Sequence, residues 1–149
     1  MDITLKDITK DNWLDMIDLE ISKEQENFVA LPSEAIAASK FYEHFINKGI
    51  YLGKTPVGFI QYYPNLEENK PKEIFIDQLI IDIHHQGKGY GTEATRLVIS
   101  EIKALKAFSS ISICYVEGHD LMRPFFERFG FNVVEQDEFD ETIMILHYE

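Results

Sequence analysis

The strongest constraint in this chain is a glycine-rich turn set between an apolar strand and an amphipathic helix. Gln86-Gly87-Lys88-Gly89-Tyr90-Gly91 carries three glycines in five residues. It follows the apolar run Ile74-Phe75-Ile76-Asp77-Gln78-Leu79-Ile80-Ile81 and precedes Ala94, Leu97, Val98, Ile102 and Leu105 at helical spacing. Strand, turn and helix in that order make one unit of an α/β fold. Glycines open left-handed geometry to the backbone and let a ligand approach without meeting a Cβ. The helix, opened by Thr92 and Glu93, offers first-turn amides without internal partners and the positive end of its dipole. Lys88 adds a cation. Residues 87–92 therefore predict a seat for a phosphate or pyrophosphate. The plainer reading is a turn that only connects strand to helix.

Spacing narrows the ligand. A dinucleotide fingerprint started at Gly87 needs Gly or Ala at position 92, where Thr92 stands. Started at Gly89 it is permitted by Gly91 and Ala94, although a Rossmann domain carries this turn after its first strand and here it lies past the midpoint. A P-loop needs Gly-Lys followed by Ser or Thr, and Gly87-Lys88-Gly89 fails that requirement.

At 149 residues the chain suits a single domain spanning 1–149. A short strand around Ile3 and Leu5 leads to a helix capped by Asp11 or Asn12, with Trp13, Met16, Ile17 and Ile21 on one face. Pro32 and Ser33 start a second helix expected to reach Phe45, with Gly49 as its stop. A hairpin follows, Ile50–Gly53 and Val57–Tyr63 about a Lys54-Thr55-Pro56 turn, then a polar loop from Pro64 to Lys72. Beyond the glycine turn and its helix come a strand Ser110–Val116, a short helix Asp120–Phe129, and strands Asn132–Gln136 and Thr142–His147. The order β-α-α-β-β-β-α-β-α-β-β predicts an α/β fold with a mixed, mainly antiparallel sheet flanked by helices.

Gln-x-x-Gly-x-Gly after a strand, here Gln86 to Gly91, resembles the acetyl-CoA pyrophosphate loop of the GNAT superfamily of N-acetyltransferases. The strand Ile74–Ile81 resembles the one along which that family lays the pantetheine arm, and Phe125-Phe126-Glu127-Arg128-Phe129-Gly130-Phe131 resembles its late helix. The likeness covers nearly the whole chain and is nearest to the spermidine/spermine (diamine) acetyltransferase branch. The resemblance implies acetyl-CoA as cosubstrate, held by Gln86, Gly87, Lys88, Gly89, Tyr90, Gly91 and Thr92 and by the backbone of Leu79, Ile80 and Ile81. It implies transfer of acetyl to a primary amine such as a small polyamine, and it allows for a homodimer. It also implies that the strands Ile74–Ile81 and Ser110–Val116 splay apart.

Charge and cysteine content are consistent with this. The formal net charge of −12 disfavours nucleic acid and anionic membranes and would attract a cationic substrate, although simple solubility explains it as well. No apolar run is long enough to cross a bilayer, and the N-terminus lacks a signal peptide's apolar segment. Cys114 is the one cysteine, sits in an apolar run and reads as a buried thiol in a reducing, cytoplasmic setting. No Cys/His/Asp grouping has metal-ligand spacing, so no metal is expected.

Acetyl transfer sets three tasks. An alkylammonium, with a pKa of about 10.4, must lose a proton before it attacks. Asp77 occupies the position of the branch's proposed base, acting directly or through water, and by strand alternation is expected to share a face with Phe75, Leu79 and Ile81. Its plain alternative is a structural acceptor. Glu20 and Glu24 are further candidates for holding the amine, as is Glu73, each expected to be a solvated carboxylate unless the fold buries it. The oxyanion calls for backbone N–H groups along Leu79–Ile81. The leaving thiolate needs a proton, and here the chain departs from the family, whose tyrosine falls on Phe126 in the cofactor-facing helix. Tyr115, Tyr90 or His119 could substitute, His119 having the right ionisation range. Phe41, Tyr42, Phe45, Tyr62 and Tyr63 could line an amine pocket or pack the core. The rivals are a non-catalytic acyl-CoA-binding module and an acetyltransferase acting on a protein or antibiotic amine.

Overall fold

The computed structural model describes residues 2–22, 31–116, 121–136 and 141–148. Seven strands, β1 (Ile3–Asp7), β2 (Ile46–Leu52), β3 (Thr55–Asn65), β4 (Lys70–Ile81), β5 (Ser110–Val116), β6 (Asn132–Gln136) and β7 (Glu141–His147), form one sheet. Between them lie α1 (Trp13–Ile17), α2 (Pro32–Ala38), α3 (Tyr90–Ala104) and α4 (Met122–Glu127). The element order is the one expected. The sheet runs β1-β2-β3-β4-β5-β7-β6, and its pairings are antiparallel except β4 with β5.

Alternation along the strands feeds two apolar layers. On one face Ile60, Tyr62, Ile74, Ile76, Ile111 and Ile113 pack with Val98, Ile99 and Ile102 of α3 and Phe126 of α4. On the other, Met16 of α1 and Ala35 of α2 cover Tyr51, Phe59 and Ile80. Burying each large aliphatic or aromatic side chain contributes about 1.5–3 kcal/mol, so these two layers hold the helices to the sheet. α3 turns Ala94, Thr95, Val98, Ile99 and Ile102 inward. Leu105, expected on that stripe, falls one residue past the helix end and is 54% exposed.

Two boundaries move for identifiable reasons. The second helix stops at Ala38, well short of Phe45, and Gly49 lies inside β2 rather than ending a helix. β3 pairs the backbone from Ile46 onward, and β1 joins from Lys48, pairing Asp7 with Lys48 and Lys6 with Gly49, so this stretch satisfies its hydrogen bonds in the sheet. Buried Gln61 fixes the helix end by donating to the Ala35 carbonyl and to Asn47 Oδ1, each at 2.9 Å. The loop expected over Pro64–Lys72 shrinks to 66–69, because Pro64 pairs with Ile74 and Asn65 with Lys70.

The feature that shapes the site lies in β4. β4 and β5 pair only from Glu73 to Phe75, against Ser110 to Ser112. Beyond Phe75 the two strands part, so the β4 edge from Ile76 to Ile81 has no strand partner on that side. The divergence is the splay that the resemblance implied.

Candidate active site

The turn after β4 is built from its own backbone. Asp82 caps the 3-10 turn Ile83–His85 by accepting from the His84 amide at 2.9 Å, and it also accepts from the Glu20 amide at 2.9 Å. Gln86 then folds back so that its Nε2 donates to the Ile81 carbonyl at 3.0 Å, closing the end of β4. Gly87 at φ 76° and Gly89 at φ 85° take left-handed conformations open chiefly to glycine, and a Cβ on Gly87 would meet nothing within 4 Å. The helix begins at Tyr90, two residues before the expected start, with Gly89 at the cap position. Tyr90, Gly91 and Thr92 thus hold the first-turn amides, which have no carbonyl one turn back to bond. Lys88 is exposed beside them. An open left-handed turn, a helix mouth and a cation fit a diphosphate.

One contact at this mouth has no sequence signal. Arg128, just past α4, donates from Nη2 to Thr92 Oγ1 at 3.2 Å and lies over the Phe125 ring. It brings a second cation to the start of α3. The unpartnered β4 edge, including Leu79, Ile80 and Ile81, leads from the splay to this turn.

Asp77 sits where β4 is irregular. Gln61 pairs with Gln78 and Tyr62 with Ile76, so Asp77 is the extra residue of a bulge. The bulge breaks the expected alternation. Ile74 and Ile76 face α3 before it, Leu79 and Ile81 pack against the α3-side clusters after it, and Asp77 falls on the opposite face with Phe75. The expectation that Asp77 shares a face with Leu79 and Ile81 is therefore corrected, while its pairing with Phe75 holds. There the Tyr63 hydroxyl donates to Asp77 Oδ2 at 2.9 Å and Gln78 Nε2 reaches Oδ1 at 3.3 Å. The residue is exposed, yet desolvation by the surrounding sheet raises its pKa above the ordinary aspartate value, against the lowering pull of these two donors. Burial first, then the charge of Asp77, lifts Tyr63 well above a free phenol, so Tyr63 stays a donor. Gln78 Oε1 is buried without a partner, a cost of about 1–3 kcal/mol placed beside the bulge.

Next to Asp77 on this face is a cavity of about 730 Å³. Among the described residues its walls include His44, Phe45, Tyr63 and Phe75, and its carboxylates are Glu67, Glu68, Glu73, Glu135 and Glu141, with Lys70 as the one Lys or Arg. Phe45 stacks on Tyr63 at 3.9 Å between centroids and on Tyr42 at 4.8 Å, while Phe75 meets Tyr63 edge-on. Of the aromatic candidates, Phe45 and Tyr63 line the cavity, Tyr62 is buried in the core on the other face, and Phe41 is exposed.

Other candidates fall elsewhere. Glu20 pairs with His84 Nε2 at 2.8 Å beside the phosphate turn and does not line the cavity. Glu73, expected to be solvated, is 7% exposed. Phe126 is 1% exposed and packs edge-on against Phe131 and Phe125, so it belongs to the core rather than to an open cofactor surface. Tyr115 packs partly against the α3-side core from the splayed part of β5, and Tyr90 lies near His85. Glu24 and His119 lie outside the described residues.

Comparison with known proteins gives the arrangement a family. The family model described as "Acetyltransferase (GNAT) family" matches residues 6–131. The chain is 28% identical to a probable spermine N(1)-acetyltransferase of Bacillus subtilis subsp. natto, and the match covers 97% of this chain and 98% of that one. It is 27% identical, with the same coverage, to a spermine/spermidine N(1)-acetyltransferase of Bacillus subtilis strain 168. Its fold is similar to that of an aminoglycoside acetyltransferase solved with ribostamycin and coenzyme A, at TM-score 0.81 and 17% identity over 99% of this chain and 94% of that one. With a family match across most of the sequence and a glycine-turned helix mouth beside a splayed sheet, this chain belongs to the GNAT family of acetyltransferases, enzymes that transfer acetyl from acetyl-CoA to an amine.

Proposed function

We propose that this enzyme acetylates a primary amine of a linear polyamine of the spermidine or spermine kind. The observation that carries the proposal is the cavity beside Asp77, in which five carboxylates and stacked aromatic rings stand against a single lysine. Carboxylates attract ammonium groups, and ring faces favour cations while accommodating methylene chains. The relatives named for spermine acetylation support the same class.

In this reading the amides of Tyr90, Gly91 and Thr92, with Lys88 and Arg128, hold the diphosphate of acetyl-CoA. The unpartnered β4 edge bonds the pantetheine amides as an added strand would. The thioester then reaches the bulge from the α3 side as the amine arrives from the cavity side. Asp77, held by Tyr63, accepts the ammonium proton directly or through a water, and its raised pKa brings it nearer the operating pH. The freed amine attacks the carbonyl, and a backbone N–H of Leu79, Ile80 or Ile81 stabilises the oxyanion. As the C–S bond breaks, the nitrogen releases its second proton to water, and the departing sulfur takes a proton from water or from Tyr115, which lies on the splayed stretch of β5 and regains its proton from water. A cytoplasmic setting suits an acetyl-CoA-dependent enzyme whose single cysteine can form no internal disulfide.

Thiol release from acetyl-CoA tests this with spermidine, spermine, an aminoglycoside and a peptide amine as acceptors. The polyamines are expected to give the highest kcat/KM. Preference for the aminoglycoside or peptide would reject the polyamine assignment, and tight coenzyme A binding with no turnover on the panel would reject catalysis.

A further inference from the structure

One of the five cavity carboxylates is buried while the other four are not. Glu73 is 7% exposed yet lines the cavity. Asn65 Nδ2 and Ser112 Oγ donate to its Oε2 at 2.8 and 3.0 Å. No Lys, Arg or His among the described residues forms an ion pair with it. Lys70 lies at the same cavity but is exposed and makes no such pair. Buried carboxylates are ordinarily paired with a cation, because an isolated charge is costly to remove from water. Here the two hydrogen bonds fix the group in place, and no side-chain cation among the described residues pairs with it.

Resting on the polyamine reading above, we infer that Glu73 receives a second, non-reacting ammonium of the substrate and so sets the substrate's minimum length. Glu73, Phe75 and Asp77 project from the same face of β4, with Phe75 between the two carboxylates. Four residues of extended strand place Glu73 about 13 Å from Asp77. A saturated chain advances about 1.25 Å per bond, so a triamine with three- and four-carbon links holds its end nitrogens about 11 Å apart, and a four-carbon diamine only about 6 Å. Once the flexible reach of both side chains is included, the triamine bridges the two carboxylates. The short diamine meets only one. Aromatic contact along Phe45, Tyr63 and Phe75 carries the methylene chain between them.

The test is a length series on the wild-type enzyme. With α,ω-diamines of four, six, eight and ten carbons, kcat/KM is expected to climb about tenfold where the far nitrogen reaches Glu73, near eight carbons, as for one gained charge-assisted hydrogen bond. Monoamines of matched length should show no such climb. Glu73→Gln keeps the bonds from Asn65 and Ser112 and is expected to flatten the diamine series through KM, lowering kcat/KM about tenfold more for the eight- and ten-carbon diamines than for the four-carbon one. A flat wild-type series with active spermidine turnover, or an equal climb for monoamines, overturns the role of Glu73 alone. So does a Glu73→Gln series that keeps the wild-type climb or loses short and long diamines equally. Failure of the wild type on every polyamine overturns both this inference and the function on which it rests.

Discussion

The two faces of β4 solve their tasks with different materials. Toward α3, the phosphate turn uses main chain: two left-handed glycines, the start of a helix and an unpartnered strand edge. Toward α2, the cavity, proposed to take the acceptor, uses side chains drawn from β3, β4, β5, β6 and β7 and from the segment after α2. A backbone seat tolerates changes of side chain as long as the local conformation survives. A side-chain pocket depends on each member, so substrate choice can change there without disturbing the cosubstrate.

The sharpest way to break this contrast is Asp77→Asn. It should lower kcat by about 10²–10⁴-fold, as loss of a general base does, while calorimetry finds coenzyme A affinity unchanged. Equal loss of both would mean that the faces are not independent. The same variant tests the raised pKa. In the wild type kcat/KM should rise with pH along a limb lying above the ordinary aspartate value of about 3.9, and in Asp77→Asn that limb should vanish. Stability carries the opposite sign. The folded state binds this proton more tightly than the unfolded chain, so Asp77 favours folding below the unfolded pKa. That contribution is lost as pH rises through the folded pKa. Asp77→Asn should remove this slope from denaturation curves measured across that window.

Phe126→Tyr comes next. Were the lost family tyrosine the defect, restoring its hydroxyl would raise kcat. At a site 1% exposed and ringed by Phe125 and Phe131, it should instead destabilise by about 1–3 kcal/mol in urea with no gain in rate. Gly89→Val probes the main-chain seat itself. A β-branched residue at φ 85° costs about 1–2 kcal/mol, and the KM for acetyl-CoA should rise about tenfold with the polyamine KM unchanged. Tyr63→Phe withdraws one donor from the Asp77 carboxylate, so the ascending pH limb should move to higher pH. The smallest effect belongs to Gly91→Ala. Its Cβ would meet Ile81 Cγ1 at 3.5 Å, an ordinary contact, and acetyl-CoA kinetics should change by less than about twofold.

The same division explains what the sequence disclosed. Element order, the strands Ser110–Val116 and Asn132–Gln136, and the glycine turn at a helix start were legible because periodicity and glycine placement are local signals. The acceptor face was not. Glu73 looked like a surface carboxylate because its burial depends on Ser112, 39 residues away, and on Asn65 across a hairpin. Arg128 reaches Thr92 over 36 residues, a contact that no local pattern announces. The bulge at Asp77 escaped because alternation was carried through a position where Gln61 and Tyr62 oppose three residues of β4. Helix α2 was overextended because the chain after Ala38 breaks into turns that lead into β2, whose partners β1 and β3 are distant in sequence.

The brief pairing of β4 with β5 has a mechanical consequence. Among the described residues, only the stretch from Lys72 to Phe75 stitches the β1–β4 half of the sheet to the β5–β7–β6 half through the main chain. Coenzyme A lying along the bare edge would supply the missing rungs and act as a reversible staple between two half-sheets. Cosubstrate binding should therefore raise the melting temperature and slow amide exchange on both sides of the seam, in β5 as well as β4.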